Sequence, residues 1–198
     1  MKINKFFCVI ICFIILISLC SCNNSHFEAE EAFVEVMEAL KSGDKERIDE
    51  VYSFTEISSF VEEESGAELT EAVISTLPKM EYKILSSEKT AKNAVTINVE
   101  FKTVDFSAIV EKYIESLILL VDSNDYKAKI PAMTDEEYKK ILSDIMIDSI
   151  ENSNSAFKTQ ILDVTMTNSN GRWKLGGDSE RIFRALFSGL GEAVDALS

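Results

Sequence analysis

The chain has 198 residues, 20 basic and 34 acidic side chains, a formal charge of −14 and a mean hydropathy of +0.04. A chain of this length can bury one sizeable core without a covalent staple, so we expect one domain. The acidic balance excludes the usual nucleic-acid binder, which needs a basic stripe to displace phosphate counterions.

Residues 1–21 read as a cleaved export signal: Lys2 and Lys5 precede an unbroken apolar run from Phe6 to Leu19, and small Ser21 stands before Cys22. A run of about 14 residues is shorter than the roughly 20 a spanning helix requires. Leu19-Cys20-Ser21-Cys22 resembles the lipobox of bacterial lipoproteins, in which the cysteine is lipidated and becomes the first residue. That resemblance implies Cys22 as the acylated anchor, carrying palmitate-type chains, and a place on the extracytoplasmic face of the cell membrane. Cys20 fits worse, because Leu19 would precede it where a small side chain is required. Two acyl chains hold a protein firmly, whereas one binds only marginally. The other three cysteines leave with the signal, so the folded part has no disulfide, thiolate metal site or thiol nucleophile.

Residues 22–26 read as the anchor and a short tether, with an extended reach of roughly 14 Å, and residues 27–198 as one domain. Within it, residues 27–71 carry 15 acids against Lys41, Lys45 and Arg47. Such a run reads first as a solvated helical face, and second as a face for a cationic partner or loosely held divalent ions.

In chain order, Ala29, Phe33, Val36, Met37 and Leu40 recur at helical spacing, and Gly43-Asp44 reads as a stop followed by a new N-cap. Ile48, Val51 and Tyr52 mark a second short helix. A third, capped by Thr55 and bearing Ile57, Phe60 and Val61, ends at Gly66, and a fourth spans Thr70 to Thr76 before Pro78. The period then changes to two. Tyr82 and Ile84 open a strand, a polar turn covers Glu88 to Asn93, and Val95, Ile97, Val99 and Phe101 alternate with polar residues as a half-buried strand. Asp105 caps a helix with a wide apolar stripe (Ile109, Val110, Tyr113, Ile114, Leu117, Ile118, Val121). Thr134 and Glu137 form a capping box for the next, lined by Tyr138, Ile141, Leu142, Ile145 and Met146. These two make a helical hairpin. A strand with Leu162, Val164 and Met166 on one side turns at Asn168 to Gly171 into Arg172-Trp173-Lys174-Leu175. Gly176-Gly177-Asp178 then introduces a last helix through Phe183, Leu186, Phe187 and Leu190.

The expected fold class is α+β: N-terminal helices packed on a curved antiparallel sheet of about four strands, cone-like, with the helical hairpin inserted between strand pairs and a C-terminal helix. Glu31-Ala32-Phe33 with Leu40-Lys41-Ser42-Gly43-Asp44, and the late Asn170-Gly171-Arg172-Trp173-Lys174-Leu175, resemble small lipoproteins, chiefly of Gram-positive bacteria, with a nuclear-transport-factor-2-like or cystatin-like fold. The resemblance covers most of residues 27–178. It implies a cone that encloses one pocket, and for the enzymes of that fold an aspartate, histidine or tyrosine within it.

Chemistry is sparse. His26, the one histidine, falls in the tether, so no Ser-His-Asp arrangement is expected. Gly189-Leu190-Gly191 lacks the third glycine and preceding strand of a phosphate loop. Asp105 and Asp163 are the carboxylates that burial in a cavity could convert into acid or base, but they read first as an N-cap and as a solvent-facing strand residue. Asp122-Ser-Asn124-Asp125 lacks the sixth-position glycine and the twelfth-position glutamate of a calcium loop, where Met133 stands. Trp173 and Tyr82 read as pocket-mouth aromatics or as hairpin clamps, and Lys127, Lys129, Lys139 and Lys140 as dispersed surface. No catalytic set, cofactor or metal ligand is assigned. The expectation is a membrane-anchored, non-catalytic module for a small apolar ligand or an envelope protein. The alternatives are an isomerase- or cyclase-type pocket enzyme using one carboxylate, or a structural envelope assembly factor.

Overall fold

The computed structural model describes residues 24–65, 67–129, 132–152, 157–177 and 179–191. Residues 1–21, which read as an export signal, together with Cys22, Gly66 and Asp178, lie outside the described residues. Helix α1 (Asn24–Ser42) buries Ala29, Phe33, Val36, Met37 and Leu40, one face at helical spacing. Gly43 ends it at φ +66°, its N–H donating to the Leu40 carbonyl at 3.1 Å, and Asp44 caps α2 (Lys45–Val51) by accepting from the Arg47 N–H at 3.0 Å.

Helix α3 (Phe54–Ser65) starts one residue before Thr55, so the threonine is not its cap. Ser53 Oγ accepts from the Glu56 N–H at 3.3 Å, and Asp49 reaches across to the Phe54 N–H at 2.7 Å. Two oxygens thus satisfy orphan donors that local sequence assigned to one hydroxyl. Helix α4 (Ala67–Ile74) begins three residues earlier than the expected fourth helix, and a 3₁₀ turn at Leu77–Lys79 places Pro78 in its opening.

Four antiparallel strands follow in the order β1 (Glu81–Ala91), β2 (Ala94–Val104), β3 (Phe157–Ser169) and β4 (Arg172–Leu175). The architecture is the expected α+β layer. Strand β1 runs through Glu88 to Ala91, which the sequence reading gave to a turn, because Glu88 pairs with Thr96 and Lys89 with Val95. Ladder bonds do not depend on side-chain polarity, and that end of the strand has water beside it. A bulge at Leu85, between Ile84 and Ser86, breaks the register. Strand β3 likewise starts five residues before Leu162, pairing Phe157 with Val104.

One face of the sheet is the core. Val95, Ile97, Val99 and Phe101 have no exposed surface, and Leu162, Val164 and Met166 stand beside them. They pack on Phe33, Met37, Leu40, Ile48 and Met80 in one continuous apolar cluster that includes residues of α1 to α4, the sheet, and the later residues Phe106, Ile109, Phe183 and Leu186. The other face meets water. There Lys102 bonds Glu81 at 2.9 Å and holds that carboxyl below its usual range, and Asn98 donates to Asp163 at 2.6 Å.

Helices α5 (Phe106–Asp122) and α7 (Asp135–Glu151) form the expected hairpin, with the short α6 (Asn124–Lys129) between them. Thr134 and Glu137 complete the capping box, donor to acceptor both ways. The apolar stripe of α5 is only half used, however. Phe106, Ile109, Val110 and Tyr113 are buried and Leu117 packs partly buried against the core, whereas Ile114, Ile118, Leu119 and Val121 are exposed. Helix α8 (Ser179–Leu186) closes the end of the fold: Phe183 meets Tyr52 edge-on at 5.7 Å and Phe60 at 5.6 Å, while Thr103 Oγ1 and Gln160 Nε2 both donate to the Ala185 carbonyl at 3.0 Å. Among the described residues no helix is long and apolar enough to cross a membrane.

Candidate binding cleft

The pocket expected inside the cone is occupied by side chains at the positions just named; the inward residues of β2 are fully buried against α1. The space that the fold opens lies beside it. A cleft of about 630 Å³ runs between α1 (Ala32, Glu35, Val36), the α2–α3 corner (Asp49 to Ser53, Glu56) and strand β4 (Arg172 to Leu175). A second hollow of about 460 Å³ shares Glu56 and continues along α3 to Phe60, Glu63, Ser179, Glu180 and Arg184.

Local folding rules build this cleft. Asn170 and Gly171 adopt φ of +55° and +80°, the pair of left-handed residues that a two-residue hairpin needs, and Asn168 Oδ1 accepts the Gly171 N–H at 3.0 Å. The turn sends β4 back along β3 as the sheet's edge. Trp173 comes to stand over the start of α1, half-buried, with its indole N–H donating to Glu28 at 3.4 Å. It packs against the core and also lines the cleft. Tyr82 is core-facing instead: its ring meets Phe33 edge-on at 5.9 Å and its hydroxyl donates to Glu38 at 2.9 Å. Across the cleft, the Tyr52 hydroxyl donates to Glu56 at 2.7 Å. Burial pushes its pKa up to about 12, with the Glu56 carboxylate adding to the shift and a hydrogen bond with Ser179 opposing it.

The sequence-derived candidates do not converge here. Asp105 caps α5 by accepting the Ser107 N–H at 3.1 Å, and Asp163 is exposed on the outer face of β3 beside Asn98. Neither lines either of these hollows, so the structure gives no support to the two carboxylates on which an acid–base reading rested. Asp122 bonds Lys127 at 3.5 Å and Asn124 opens α6, so that loop serves the helical hairpin. Lys139 and Lys140 are exposed. Among the described residues no cluster of three His, Cys, Asp or Glu side chains is arranged to hold a metal. Gly189 belongs to packing: at φ +80° it approaches the Ser107 backbone and side chain too closely for a Cβ, next to the bond from the Phe106 N–H to the Ser188 carbonyl.

His26 is the clearest departure from the sequence reading. It lies in the first turns of α1 rather than in an extended tether, half-buried, with Nδ1 at 3.3 Å from Ser87 Oγ on β1. Ser87 Oγ in turn donates to Glu30. The three residue types are those of a hydrolase triad, but the order is wrong: the serine stands between histidine and carboxylate, so its proton goes to Glu30 and no relay through the imidazole forms. The trio fastens α1 to β1. Its signal in the sequence is the helical spacing of His26 from Ala29 and Phe33, continued back by one turn.

Comparison with models of protein families, with curated proteins and with solved structures finds no match to this chain.

Proposed function

We propose that this protein is a lipid-anchored binding module of the outer face of a bacterial cytoplasmic membrane, non-catalytic, with its ligand or protein partner seated in the cleft beside β4. The observation that carries the reading is the cleft itself: about 630 Å³ of open space beside a half-buried tryptophan, next to a sheet face already filled by its own side chains. Walls made of Glu35, Asp49, Glu50, Glu56, Arg172 and Lys174 suit a polar or charged ligand better than the apolar one expected from a hollow cone. The order of helices, hairpins and inserted helical pair supports a nuclear-transport-factor-2-like or cystatin-like cone, and the lipobox-like Leu19-Cys20-Ser21-Cys22 supports the anchor. With α1 starting at Asn24, only Asn23 would separate the acylated residue from the helix, so the domain would ride against the lipid.

The test is native mass spectrometry of the processed protein, extracted in mild detergent from its own host. A reproducible extra mass beyond the acyl chains, of a metabolite or of a protein, supports a binding module; a bare mass together with no change in Trp173 emission across polar, charged and peptide ligands refutes it. Cys22→Ala should abolish acyl labelling and normal processing, and a variant still labelled would overturn the anchor.

A further inference from the structure

We infer that the cleft takes an extended polypeptide segment, added as a fifth strand to the free edge of β4, with alternating character: cationic side chains toward the helices and acidic or hydroxyl side chains toward the outer face. The inference rests on the cleft being the binding site. Its first support is the direction of the backbone groups. The Gly176 N–H donates to the Thr165 carbonyl of β3 at 2.7 Å, and in an antiparallel pair alternate residues share one orientation. Lys174 and Arg172 therefore turn their N–H and C=O groups toward β3, paired with Thr167 and Ser169, as the flanking pair of a two-residue hairpin must. Trp173 and Leu175 turn theirs outward. Both line the cleft, and among the described residues no strand lies on that side of β4 in the four-stranded order.

Side chains then select the occupant. Along β4, Trp173 and Leu175 face the α1 side, while exposed Arg172 and Lys174 face outward beside Ser169 and Thr167. An added strand lies about 4.8 Å from β4 with the same two-residue alternation. Its inward residues would meet Trp173, Ala32 and the carboxylates of Glu35 and Glu50, which favours lysine or arginine, their stems on the ring and their heads on the acids. Its outward residues would lie next to Arg172 and Lys174, where a like charge is unfavourable and an acid or hydroxyl is favoured. A short edge strand bearing two cations is a known guard against indiscriminate pairing; here it leaves the edge open to a strand of complementary pattern. Main-chain bonds supply the affinity and the alternation supplies the specificity.

The experiment uses the full processed chain in detergent and the emission of Trp173, the single tryptophan. The probes are two eight-residue peptides of equal composition. One has lysine at every second position with threonine and glutamate between; the other has its lysines in one block. The alternating peptide should bind at least about tenfold tighter, lose affinity with salt, and lose about tenfold in Glu50→Lys, whose substituted side chain is exposed. N-methylation along the peptide should weaken binding at every second amide, because only one edge of the strand pairs with β4. Equal binding of both peptides, or N-methyl effects without a period of two, would overturn strand addition and leave a general attraction to acid. A response of Trp173 to other ligands but to neither peptide would likewise overturn it while sparing the cleft. Silence toward every ligand would overturn both.

Discussion

Phe33→Ala decides whether the concave face of the sheet is core or pocket. Phe33 has no exposed surface, sits on the inward stripe of α1 and meets Tyr82 edge-on at 5.9 Å. Returning a phenyl group from a dry interior to water costs about 2–3 kcal/mol. The cavity left behind raises the total to about 3–5 kcal/mol when neighbours collapse only partly, and about 1 kcal/mol of that belongs to the ring pair. Urea unfolding followed by Trp173 emission should show a lowered midpoint at unchanged slope. Thermal unfolding should fall by roughly 6–20 °C for a domain of this size. Tyr82→Phe provides the comparison, since it keeps the ring contact and removes only the exposed bond to Glu38; its effect should stay under about 1 kcal/mol. A loss below about 1 kcal/mol in Phe33→Ala would mean that the ring lines an empty space, and the filled-cone account would be wrong.

Partly buried tyrosines make stability fall at high pH. Tyr52 and Tyr82 are both raised from 10.0 to about 12, each by burial first and then by a neighbouring carboxylate, Glu56 or Glu38, with Ser179 partly offsetting the shift at Tyr52. A group whose folded pKa is raised contributes stability fully below its unfolded value, so the contribution is intact below pH 10 and drains away between about 10 and 12; Tyr113 is raised as well, by burial and then by Tyr138, so ultraviolet titration should find three late phenols, and Tyr52→Phe should remove one. Thr134→Ala breaks the capping box of α7 and should cost about 1 kcal/mol in urea unfolding. Gly189→Ala forces a left-handed residue and a contact with Ser107, so it should destabilise by at least about 1–2 kcal/mol, against a near-neutral Gly177→Ala, where a Cβ meets open space.

Much of the fold was legible because its signals are local. The stop at Gly43, the caps at Asp44 and Asp105, the box at Thr134, the Asn170-Gly171 turn and the alternation of Val95 to Phe101 each depend on residues within one or two turns of chain. Element edges were less legible. Glu88 to Ala91 reads as a turn until β2 is beside it, and Thr55 as a cap until Asp49 and Ser53 are seen to reach the same helix start.

The site was the least legible, since every part of it is a relation between distant segments. Composition and periodicity determined an acidic α+β chain, its helices, its strands and which side of each is apolar. They could not say that α1 would fill the concave face, that the last turns of α5 would carry apolar side chains into water, or that His26 would meet Ser87. Those outcomes follow from which faces are brought together, and a residue's burial depends on what the rest of the chain places against it. The cleft between Glu35, Glu50 and Trp173 exists only because a four-residue edge strand ends up facing a helix more than a hundred positions away, with no described strand beside its outward backbone groups.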